Sequence, residues 1–241
     1  GEAMEALSHV DTVAFDKTGT LTEGRPRLTD VAVADGDENA LLRLAAAVET
    51  GSEHPLAMAI VEAARERSLD LPPIDGFRAH PGFGVSAQVG EHTVRVGAKR
   101  YMARESIDTA AFEEIAAHHA SDGKTPVFLA VGDAARAVLS VADPLKPEAA
   151  AMVAALRARN IRVAMITGDG PDTARAVARE AGIDEVLAET LPEDKSQAVA
   201  TLQAETRKVA FVGDGINYAP AIAQADVGIA VGTGTDIAIE A

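Results

Sequence analysis

Asp16 and the residues after it have the types and spacing needed to accept a phosphoryl group. Asp16 follows the apolar run 13–15 and is followed at once by Lys17, Thr18, Gly19 and Thr20. Such a run predicts a buried parallel strand, and open α/β sheets bind ligands at the carboxyl ends of their strands. A carboxylate there can attack as a nucleophile while backbone N–H groups hold phosphate oxygens. The segment therefore favours phosphoryl chemistry over an ordinary strand that ends in an Asp turn.

Three later segments supply side chains that could serve the same chemistry. Thr167 and Gly168 follow a second apolar run, and their hydroxyl and backbone N–H could bind the oxygens of a transferring group. Lys195 could neutralise phosphate charge, and Asp214, after a third apolar run, could hold Mg²⁺ together with Asp16. Each segment alone could be an ordinary turn or a solvated helix residue. Their occurrence together, in this order, favours one phosphoryl-transfer site.

A second group of candidate residues lies around His54. Pro55 is a favoured first residue of a helix, so the ring of His54 is predicted near a helix N-terminus, where polyanions bind. The alternative is a capping or surface histidine. Gly82 and Gly84 form a Gly-x-Gly loop, which would let a ligand approach the backbone closely.

The order of predicted elements indicates two domains. Helices and strands alternate from residue 147 onward, which predicts a doubly wound parallel sheet that also contains the run 13–15. The intervening segment is predicted to be an insertion with an antiparallel sheet flanked by helices. Its predicted helices are 38–50, one from Pro55 and 108–121, and its strand-like pieces are 77–89, 93–96, 127–131 and 137–141. The fold class is thus α/β, with an inserted α+β domain at 26–142 between the two parts, 1–25 and 143–241, of the first domain.

Composition excludes several classes of function. The 241 residues carry a net charge of −15, which argues against nucleic acid as a partner. The chain has no cysteine, so it has neither disulfides nor a thiolate metal site. Its apolar runs fall far short of the ~20 residues that cross a bilayer, and no signal peptide is evident, so a soluble chain is expected. His118 and His119 are predicted to lie at a solvated helix end, because neighbours on a helix do not share a face.

The segment 16–22, Asp-Lys-Thr-Gly-Thr-Leu-Thr, resembles the phosphorylation motif of the P-type ATPases, ion pumps of the haloacid-dehalogenase superfamily. Phosphatases of that superfamily usually carry a second Asp two places after the nucleophile, and this chain has Thr18 there. A threonine cannot act as the general base that hastens hydrolysis of an aspartyl phosphate. The resemblance therefore implies a persistent acyl phosphate. The loops at Thr167, Lys195 and Asp214 resemble the remaining motifs of the phosphorylation domain in order.

The resemblance implies a role for each residue of this site. Asp16 would attack the γ-phosphate of ATP, with Mg²⁺ held between its carboxylate, the Thr18 carbonyl and Asp214. The remaining residues implied to be catalytic stabilise the transferring group or shape the site, and they are Lys17, Thr167, Gly168, Lys195 and Asn217.

The segment 52–57, Ser-Glu-His-Pro-Leu-Ala, resembles the nucleotide-domain signature of the heavy-metal-transporting (type IB) P-type ATPases. The resemblance implies that Glu49 contacts the adenine and that His54, Gly82 and Gly84 also bind the nucleotide. It further implies an ATP-binding and phosphorylation unit at the cytoplasmic face of a membrane. Its partners would be an actuator domain and transmembrane helices, and the transported metal would not bind to this unit.

The identity of the metal and the class of function leave alternatives. The segment 81–87, Pro-Gly-Phe-Gly-Val-Ser-Ala, resembles copper exporters more than zinc or cadmium exporters, which are the alternative. A soluble phosphatase of the haloacid-dehalogenase superfamily and a nucleotide-sensing module without catalysis are the other two alternatives.

Three positions depart from the pattern of the family. Tyr218 stands where the family usually has Asp, so weaker Mg²⁺ binding is expected. Ala98 stands where the family often has Asn, which removes one expected hydrogen bond to the nucleotide. Gly170 stands where Asn is common.

Overall fold

The structure is a computed structural model that describes residues 8–204, 207–214 and 218–231. The chain divides into two compact units. One unit comprises residues 1–24 together with 144–241, and the other comprises residues 25–143. Each unit is built around its own sheet, and they are described separately below.

The described residues form strands and helices in the following order along the chain. The strands are β1 (Thr12–Asp16), β2 (Arg27–Val33), β3 (Asp75–His80), β4 (Gly84–Val89), β5 (His92–Gly97), β6 (Thr125–Val131), β7 (Ala134–Ala142), β8 (Arg162–Ile166), β9 (Glu185–Leu187), β10 (Val209–Gly213) and β11 (Val227–Ala230). The α-helices are α1 (Glu38–Glu49), α2 (Pro55–Glu66), α3 (Lys99–Arg104), α4 (Glu113–Ser121), α5 (Ala149–Arg157), α6 (Pro171–Ala181), α7 (Lys195–Gln203) and α8 (Ala219–Gln224). Short 3₁₀ turns at Ala110–Phe112 and Pro192–Asp194 precede α4 and α7.

Local sequence signals explain where several helices begin and end. The Asp37 carboxylate accepts hydrogen bonds from two backbone N–H groups in the first turn of α1, which caps that helix. Helices α2 and α6 each start with a proline, whose fixed φ suits the first helical position. Helix α6 ends at Gly182, whose φ of +78° is the left-handed conformation typical of a helix C-terminus.

The first unit contains a parallel sheet in the order β11-β10-β1-β8-β9, covered by helices on both faces. Alternate residues of β1 enter different cores. Val13 and Phe15 pack in the cluster that contains Val153 of α5 and Val177 of α6. Ala14 packs in the opposite cluster, with residues of α7 and α8. A strand buried on both faces reads as a continuous apolar run, which is why β1 could be recognised in the sequence.

The second unit contains an antiparallel sheet in the order β2-β7-β6-β5-β4-β3. One face packs against α1 and α2 in a cluster that includes Val127 and Leu129 of β6. The other face carries Phe128 and Ala130 in a cluster with Tyr101 of α3 and residues of α4. With the parallel sheet of the first unit, this arrangement confirms the predicted fold class.

Two predicted elements have different bounds in the structure, and three observed elements were not predicted. The strand-like piece 77–89 is two strands, because the Phe83 N–H bonds the His80 carbonyl at 2.9 Å and Gly82 takes a φ of +72°, which turns the chain. The predicted helix 108–121 is α-helical only from Glu113 onward. Three elements had no predicted counterpart, namely β2, α3 and β11.

The prediction of a solvated helix end holds for His118 but is wrong for His119. The His119 side chain is buried, and its Nδ1 lies 2.7 Å from the Ser140 hydroxyl of β7. Its Nε2 lies 3.9 Å from an oxygen of Asp30 on β2. Helix α4 packs across the sheet at this point, so one of the two adjacent histidines faces inward while the other remains exposed.

None of the helices within the described residues is long and apolar enough to span a membrane.

Candidate active site

Asp16 is the last residue of the central strand of the parallel sheet. Its side chain is 1% exposed. In the strand register Asp16 lies beside Ile166 of β8, and Phe15 lies beside Val212 of β10. Thr167 and Asp214 therefore follow the two strands that flank Asp16, at the same edge of the sheet.

The Asp16 carboxylate is paired with Lys195, the first residue of α7. The Lys195 ammonium group donates a hydrogen bond to Asp16 Oδ1, and both side chains are buried. Burial raises the pKa of Asp16, and the positive charges of Lys195 and Lys17 oppose that rise. The second oxygen, Oδ2, is also buried and has no hydrogen-bond partner among the residues that the structure describes. One carboxylate oxygen is thus available to react or to bind a cation.

The loop after Asp16 is held by its own backbone. The Thr22 N–H bonds the Lys17 carbonyl at 3.1 Å, and the Gly19 N–H bonds the Thr22 hydroxyl at 3.1 Å. Gly19 has a φ of +75°, which a glycine adopts without steric cost. The Lys146 ammonium donates to the Gly19 carbonyl at 3.2 Å. Thr18, within this loop, has extended dihedral angles, and the next residue, Gly19, has the positive φ.

Lys17 joins this loop to the loop that follows β8. Its ammonium lies 2.5 Å from Asp169 Oδ2, and the side chains are only 8% and 11% exposed. Asp169 was not among the site residues predicted from the sequence. The available signal was its position in the Thr-Gly-Asp segment directly after a buried strand.

Thr167 and Gly168 occupy the start of that second loop. Thr167 is buried, and its hydroxyl accepts a hydrogen bond of 3.1 Å from the Asp169 N–H. A Cβ added to Gly168 would meet nothing closer than the Thr190 carbonyl oxygen, at 3.5 Å. Space therefore does not require glycine at position 168. The Gly170 position is open as well, and it precedes the first residue of α6.

The ring of Tyr218, the residue directly before α8, covers the Lys195 ammonium. Lys195 Nζ lies 3.6 Å from the centroid of the Tyr218 ring, a cation–π distance. The Tyr218 N–H bonds the Asp214 carbonyl at 3.1 Å. Asn217, a predicted catalytic residue, lies outside the described residues.

The sequence predicts that the Asp16 carboxylate, the Thr18 carbonyl and Asp214 hold Mg²⁺. Thr18 lies two residues after Asp16, and Asp214 follows the adjacent strand β10. Oxygen donors of this kind fit Mg²⁺, and the buried Oδ2 of Asp16 offers a position for it. Within 8–204, 207–214 and 218–231, no cluster of three or more His, Cys, Asp or Glu residues could hold a metal ion.

The unit 25–143 contains the residues predicted to bind the nucleotide, beginning with Glu49 at the end of α1. Glu49 is 7% exposed, and burial raises its pKa to about 8. A neutral carboxyl group can both donate and accept a hydrogen bond, whereas a carboxylate can only accept. Glu49 is therefore suited to a partner that presents an acceptor and a donor side by side.

His54 lies at the N-terminus of α2. Its Nδ1 accepts a hydrogen bond of 3.2 Å from the Leu56 N–H, so the ring caps the helix. The backbone at Gly51, between α1 and α2, touches the Phe77 ring of β3, since a Cβ there would lie 2.7 Å from that ring. The connection that carries His54 thus runs beside β3, and β3 leads into the turn that contains Gly82.

The two glycines of the Gly-x-Gly loop have different structural roles. Gly82 lies in the turn, and its carbonyl accepts two hydrogen bonds from the Arg100 guanidinium. The bond from Arg100 Nε is 2.7 Å long. A Cβ on Gly84 would lie 2.2 Å from the Val96 carbonyl oxygen. Glycine at position 84 is therefore already required by the packing of β4 against β5.

Two arginines that were not among the predicted site residues lie around this turn. Arg100 fixes the Gly82 carbonyl, and the Arg104 guanidinium carbon lies 4.5 Å from the centroid of the Phe83 ring. Burial of the His80 ring lowers its pKa, and the positive charge of Arg104 lowers it further. The turn is thus a locally basic part of an acidic chain.

Comparison with known proteins identifies the family to which the chain belongs. The family of haloacid dehalogenase-like hydrolases matches residues 10–226, which is most of the chain. The chain belongs to this family, and the superfamily predicted from the segment after Asp16 is confirmed.

Curated relatives are similar over the whole chain. The chain is 51% identical over 241 residues to copper-transporting ATPase 2 of Rhizobium meliloti, covering 100% of this chain and 29% of the relative. It is 49% identical over 243 residues to a probable copper-exporting P-type ATPase V of Mycobacterium tuberculosis, covering 100% and 32%. The chain thus spans less than a third of the length of these relatives.

Two solved structures are also similar. The catalytic domain of the CPx-ATPase CopB-B, studied for its conformational changes upon nucleotide binding, is 27% identical with a TM-score of 0.74, covering 95% of this chain and 81% of that one. A zinc-transporting PIB-type ATPase in the E2.Pi state is 41% identical with a TM-score of 0.61, covering 95% and 37%. The likeness to both extends over the two units of this chain.

Proposed function

We propose that this chain is the ATP-binding and phosphorylation unit of a heavy-metal-transporting P-type ATPase, and that it accepts the γ-phosphate of ATP on Asp16. The observation that carries the proposal is the state of the Asp16 carboxylate. One oxygen is paired with Lys195, the other is buried with no hydrogen-bond partner in the described part of the chain, and Thr167 and Asp214 follow the two flanking strands. This arrangement supports a role for Asp16 as an attacking carboxylate between groups that hold a phosphoryl group.

The proposed reaction is an in-line transfer. A carboxylate oxygen of Asp16 forms a bond to the γ-phosphorus, the bond to the oxygen that bridges the β- and γ-phosphates breaks, and ADP leaves with that electron pair. Lys195, Thr167 and the Gly168 N–H stabilise the transferring oxygens, and Lys17 holds the loop after Asp16 through its ion pair with Asp169. Thr18 lies where a hydrolytic enzyme of this family would need a second acid, so the acyl phosphate persists.

A bound Mg²⁺ would neutralise charge on the phosphate oxygens. The Asp16 carboxylate, the Thr18 carbonyl and Asp214 would hold it, as their oxygen donors fit this cation. Asn217 is proposed to shape the same site. Tyr218 supplies no carboxylate to it.

The nucleotide is proposed to bind to the unit 25–143. Glu49, with its raised pKa, would donate to one ring nitrogen of adenine and accept from the amino group. His54 and the turn at Gly82 and Gly84 would lie along the rest of the nucleotide. Ala98 offers no side-chain hydrogen bond, so modest affinity for ATP is expected.

The whole pump and its cargo are inferred from the relatives. We propose that this unit works at the cytoplasmic face of a membrane with an actuator domain and transmembrane helices, and that the pump exports Cu⁺. Identities of 51% and 49% to proteins named for copper support copper over zinc. The 41% identity to a zinc-transporting ATPase keeps zinc as the second candidate. Metal-stimulated ATPase activity of the full-length pump distinguishes the two ions. Stimulation by Zn²⁺ but not by Cu⁺ would contradict the proposal that the pump exports Cu⁺.

Two measurements on the 241-residue chain test the core of the proposal. Calorimetric titration with MgATP should show binding that is weakened in His54→Ala and retained in His92→Ala, which changes an exposed histidine of β5. Incubation with γ-labelled ATP should then give an acid-stable, hydroxylamine-labile phosphoprotein. The label should be lost in Asp16→Asn and retained in Asp172→Asn, whose carboxylate is 64% exposed on α6.

The same measurements separate the alternatives. Rapid turnover of a simple phosphomonoester without a stable phosphoprotein would favour a soluble phosphatase. Binding of ATP without any label at Asp16 would favour a nucleotide-sensing module.

A further inference from the structure

The phosphoryl site contains an aromatic contact that no catalytic role assigned above explains. The Lys195 ammonium is paired with the Asp16 carboxylate, and the face of the Tyr218 ring lies 3.6 Å from the same nitrogen atom. Tyr218 takes the place of the Asp that the resemblance predicts. An aromatic ring therefore lies beside this ammonium at a position where the resemblance predicts an acidic residue.

Two backbone hydrogen bonds and one apolar contact hold Tyr218 in place. The Tyr218 N–H bonds the Asp214 carbonyl at 3.1 Å, and the Tyr218 carbonyl accepts from the Ile222 N–H at 3.0 Å. The half-buried side chain packs against the apolar cluster beneath the sheet, which includes Ile166 and Val199. The ring therefore lies in a fixed place and can set the position of a mobile side chain.

Lys195 is such a side chain, because a lysine stem has several rotatable bonds and its ammonium group has no preferred plane. A ring face attracts a cation through its quadrupole and carries no charge of its own. It can therefore hold the Lys195 ammonium without competing for it against Asp16. A carboxylate at position 218 would compete directly with Asp16 for the same ammonium.

We propose that Tyr218 is a positioning residue, whose ring holds the Lys195 ammonium against the Asp16 carboxylate. The catalytic consequence rests on the proposed phosphoryl transfer. There, the ring would let the ammonium move from Asp16 to the transferred oxygens, because attraction to a ring face depends weakly on direction. The hydroxyl group of Tyr218 has no part in the proposal.

Nuclear magnetic resonance of the chain with ¹³C-labelled lysine tests the contact without any reaction. The ε-methylene signal of Lys195, assigned with Lys195→Arg, should be displaced upfield by the ring. Tyr218→Phe should keep this displacement and Tyr218→Leu should lose it. Replacement of Asp16 by Asn should shift the signal in the parent and in Tyr218→Phe, but much less in Tyr218→Leu.

A control separates positioning from simple packing. Leu187→Ala removes another side chain that packs against the same apolar cluster. It should lower stability and leave the displacement of the Lys195 signal in place. An unchanged displacement in Tyr218→Leu, or its loss in Tyr218→Phe as well, would overturn the proposal.

Phosphorylation by labelled ATP tests the consequence. The rate in Tyr218→Leu should fall about tenfold or more with little change in the KM for ATP, since misplacement of a catalytic group by about 1 Å can cost up to ~10²-fold. Tyr218→Phe should recover most of that rate. Equal rates in Phe and Leu variants would contradict the positioning role. Absence of label in the parent would contradict the proposed function instead, and the resonance data would still decide whether the ring holds Lys195.

Discussion

Lys17 and Asp169 form a buried ion pair that ties the loop after β1 to the loop after β8. Their charged atoms lie 2.5 Å apart, and the side chains are 8% and 11% exposed. Lys17 directly follows Asp16, the proposed nucleophile, and Asp169 belongs to the same loop as Thr167. The pair therefore holds together two of the segments that surround the proposed phosphoryl site.

We expect the removal of one partner to cost more than the removal of both. Asp169→Asn leaves the Lys17 ammonium buried without its carboxylate and should destabilise the first unit by about 3 kcal/mol. The double variant Lys17→Met/Asp169→Leu should recover part of that loss, because no uncompensated charge remains. Hydrogen exchange resolved by peptide measures this in the first unit alone. An additive double variant would show that the two charges do not interact.

Glu49 should make the stability of the second unit depend on pH. Its folded pKa, about 8, lies above the ordinary 4.5, so the folded state binds more protons than the unfolded state between these values. The free energy of unfolding should therefore be highest below pH 4.5 and should fall as the pH rises toward 8, by up to about 1.4 kcal/mol per pH unit. Unfolding of the parent, Glu49→Gln and the exposed-site control Glu62→Gln should be followed across this range. The slope should flatten only in Glu49→Gln.

The same titration should affect the proposed nucleotide binding. Above about pH 8 the Glu49 carboxylate can no longer donate a hydrogen bond, so affinity for ATP should decline there. Glu49→Gln keeps a donor and an acceptor and should bind ATP with a flatter pH profile. An identical decline in both chains would assign the effect to another group.

The sequence predicted the scaffold of the site well, for a physical reason. Strands β1, β8 and β10 are buried on both faces, so they read as apolar runs, and the residues after each run lie at one edge of the sheet. The contacts between side chains were not predictable in the same way. The pairing of Lys17 with Asp169 and of Lys195 with Tyr218 depends on the direction in which each long side chain extends.

The elements that were missed lack a continuous apolar signal. Strand β2 contains no fully buried residue, includes Asp30, and is bulged where it pairs with β7. Strand β11 contains Gly228, where a Cβ would lie 2.3 Å from the Ile222 side chain. The inward direction of the His119 side chain could not be inferred either, because its partner Ser140 lies 21 residues away in the sequence.

Gly84 should be far less tolerant of a side chain than Gly90. In Gly84→Ala the new Cβ would lie 2.2 Å from the Val96 carbonyl oxygen, so strands β4 and β5 must separate, at a cost of roughly 3 kcal/mol or more. Gly90→Ala meets nothing within 4 Å and bears only the cost of its φ of +59°, about 1 kcal/mol. Thermal unfolding of both variants gives the comparison. Similar losses of stability in the two variants would mean that the second unit can make room for a side chain at the Gly-x-Gly loop.

Ser140 should stabilise the second unit through His119. In Ser140→Ala the buried His119 Nδ1 loses the hydroxyl that lies 2.7 Å away, which should cost about 1–3 kcal/mol. Ser121→Ala removes an exposed hydroxyl that donates to the His118 carbonyl, and its effect should stay within about 0.5 kcal/mol. Urea unfolding of the two variants provides the measurement. A smaller loss in Ser140→Ala than in Ser121→Ala would contradict the structural role given to this buried pair.

Restoring a carboxylate at position 218 should strengthen the response to Mg²⁺. Tyr218→Asp would add a hard oxygen donor on the segment that follows Asp214, so half-maximal phosphorylation of Asp16 should need less Mg²⁺ than in the parent. Tyr218→Asn provides the matched control, because it has nearly the same shape without the charge. Its Mg²⁺ requirement should stay close to that of the parent. Identical Mg²⁺ curves for the parent and Tyr218→Asp would show that the aromatic residue costs the site no affinity for the cation, and that the role of position 218 is confined to the Lys195 ammonium.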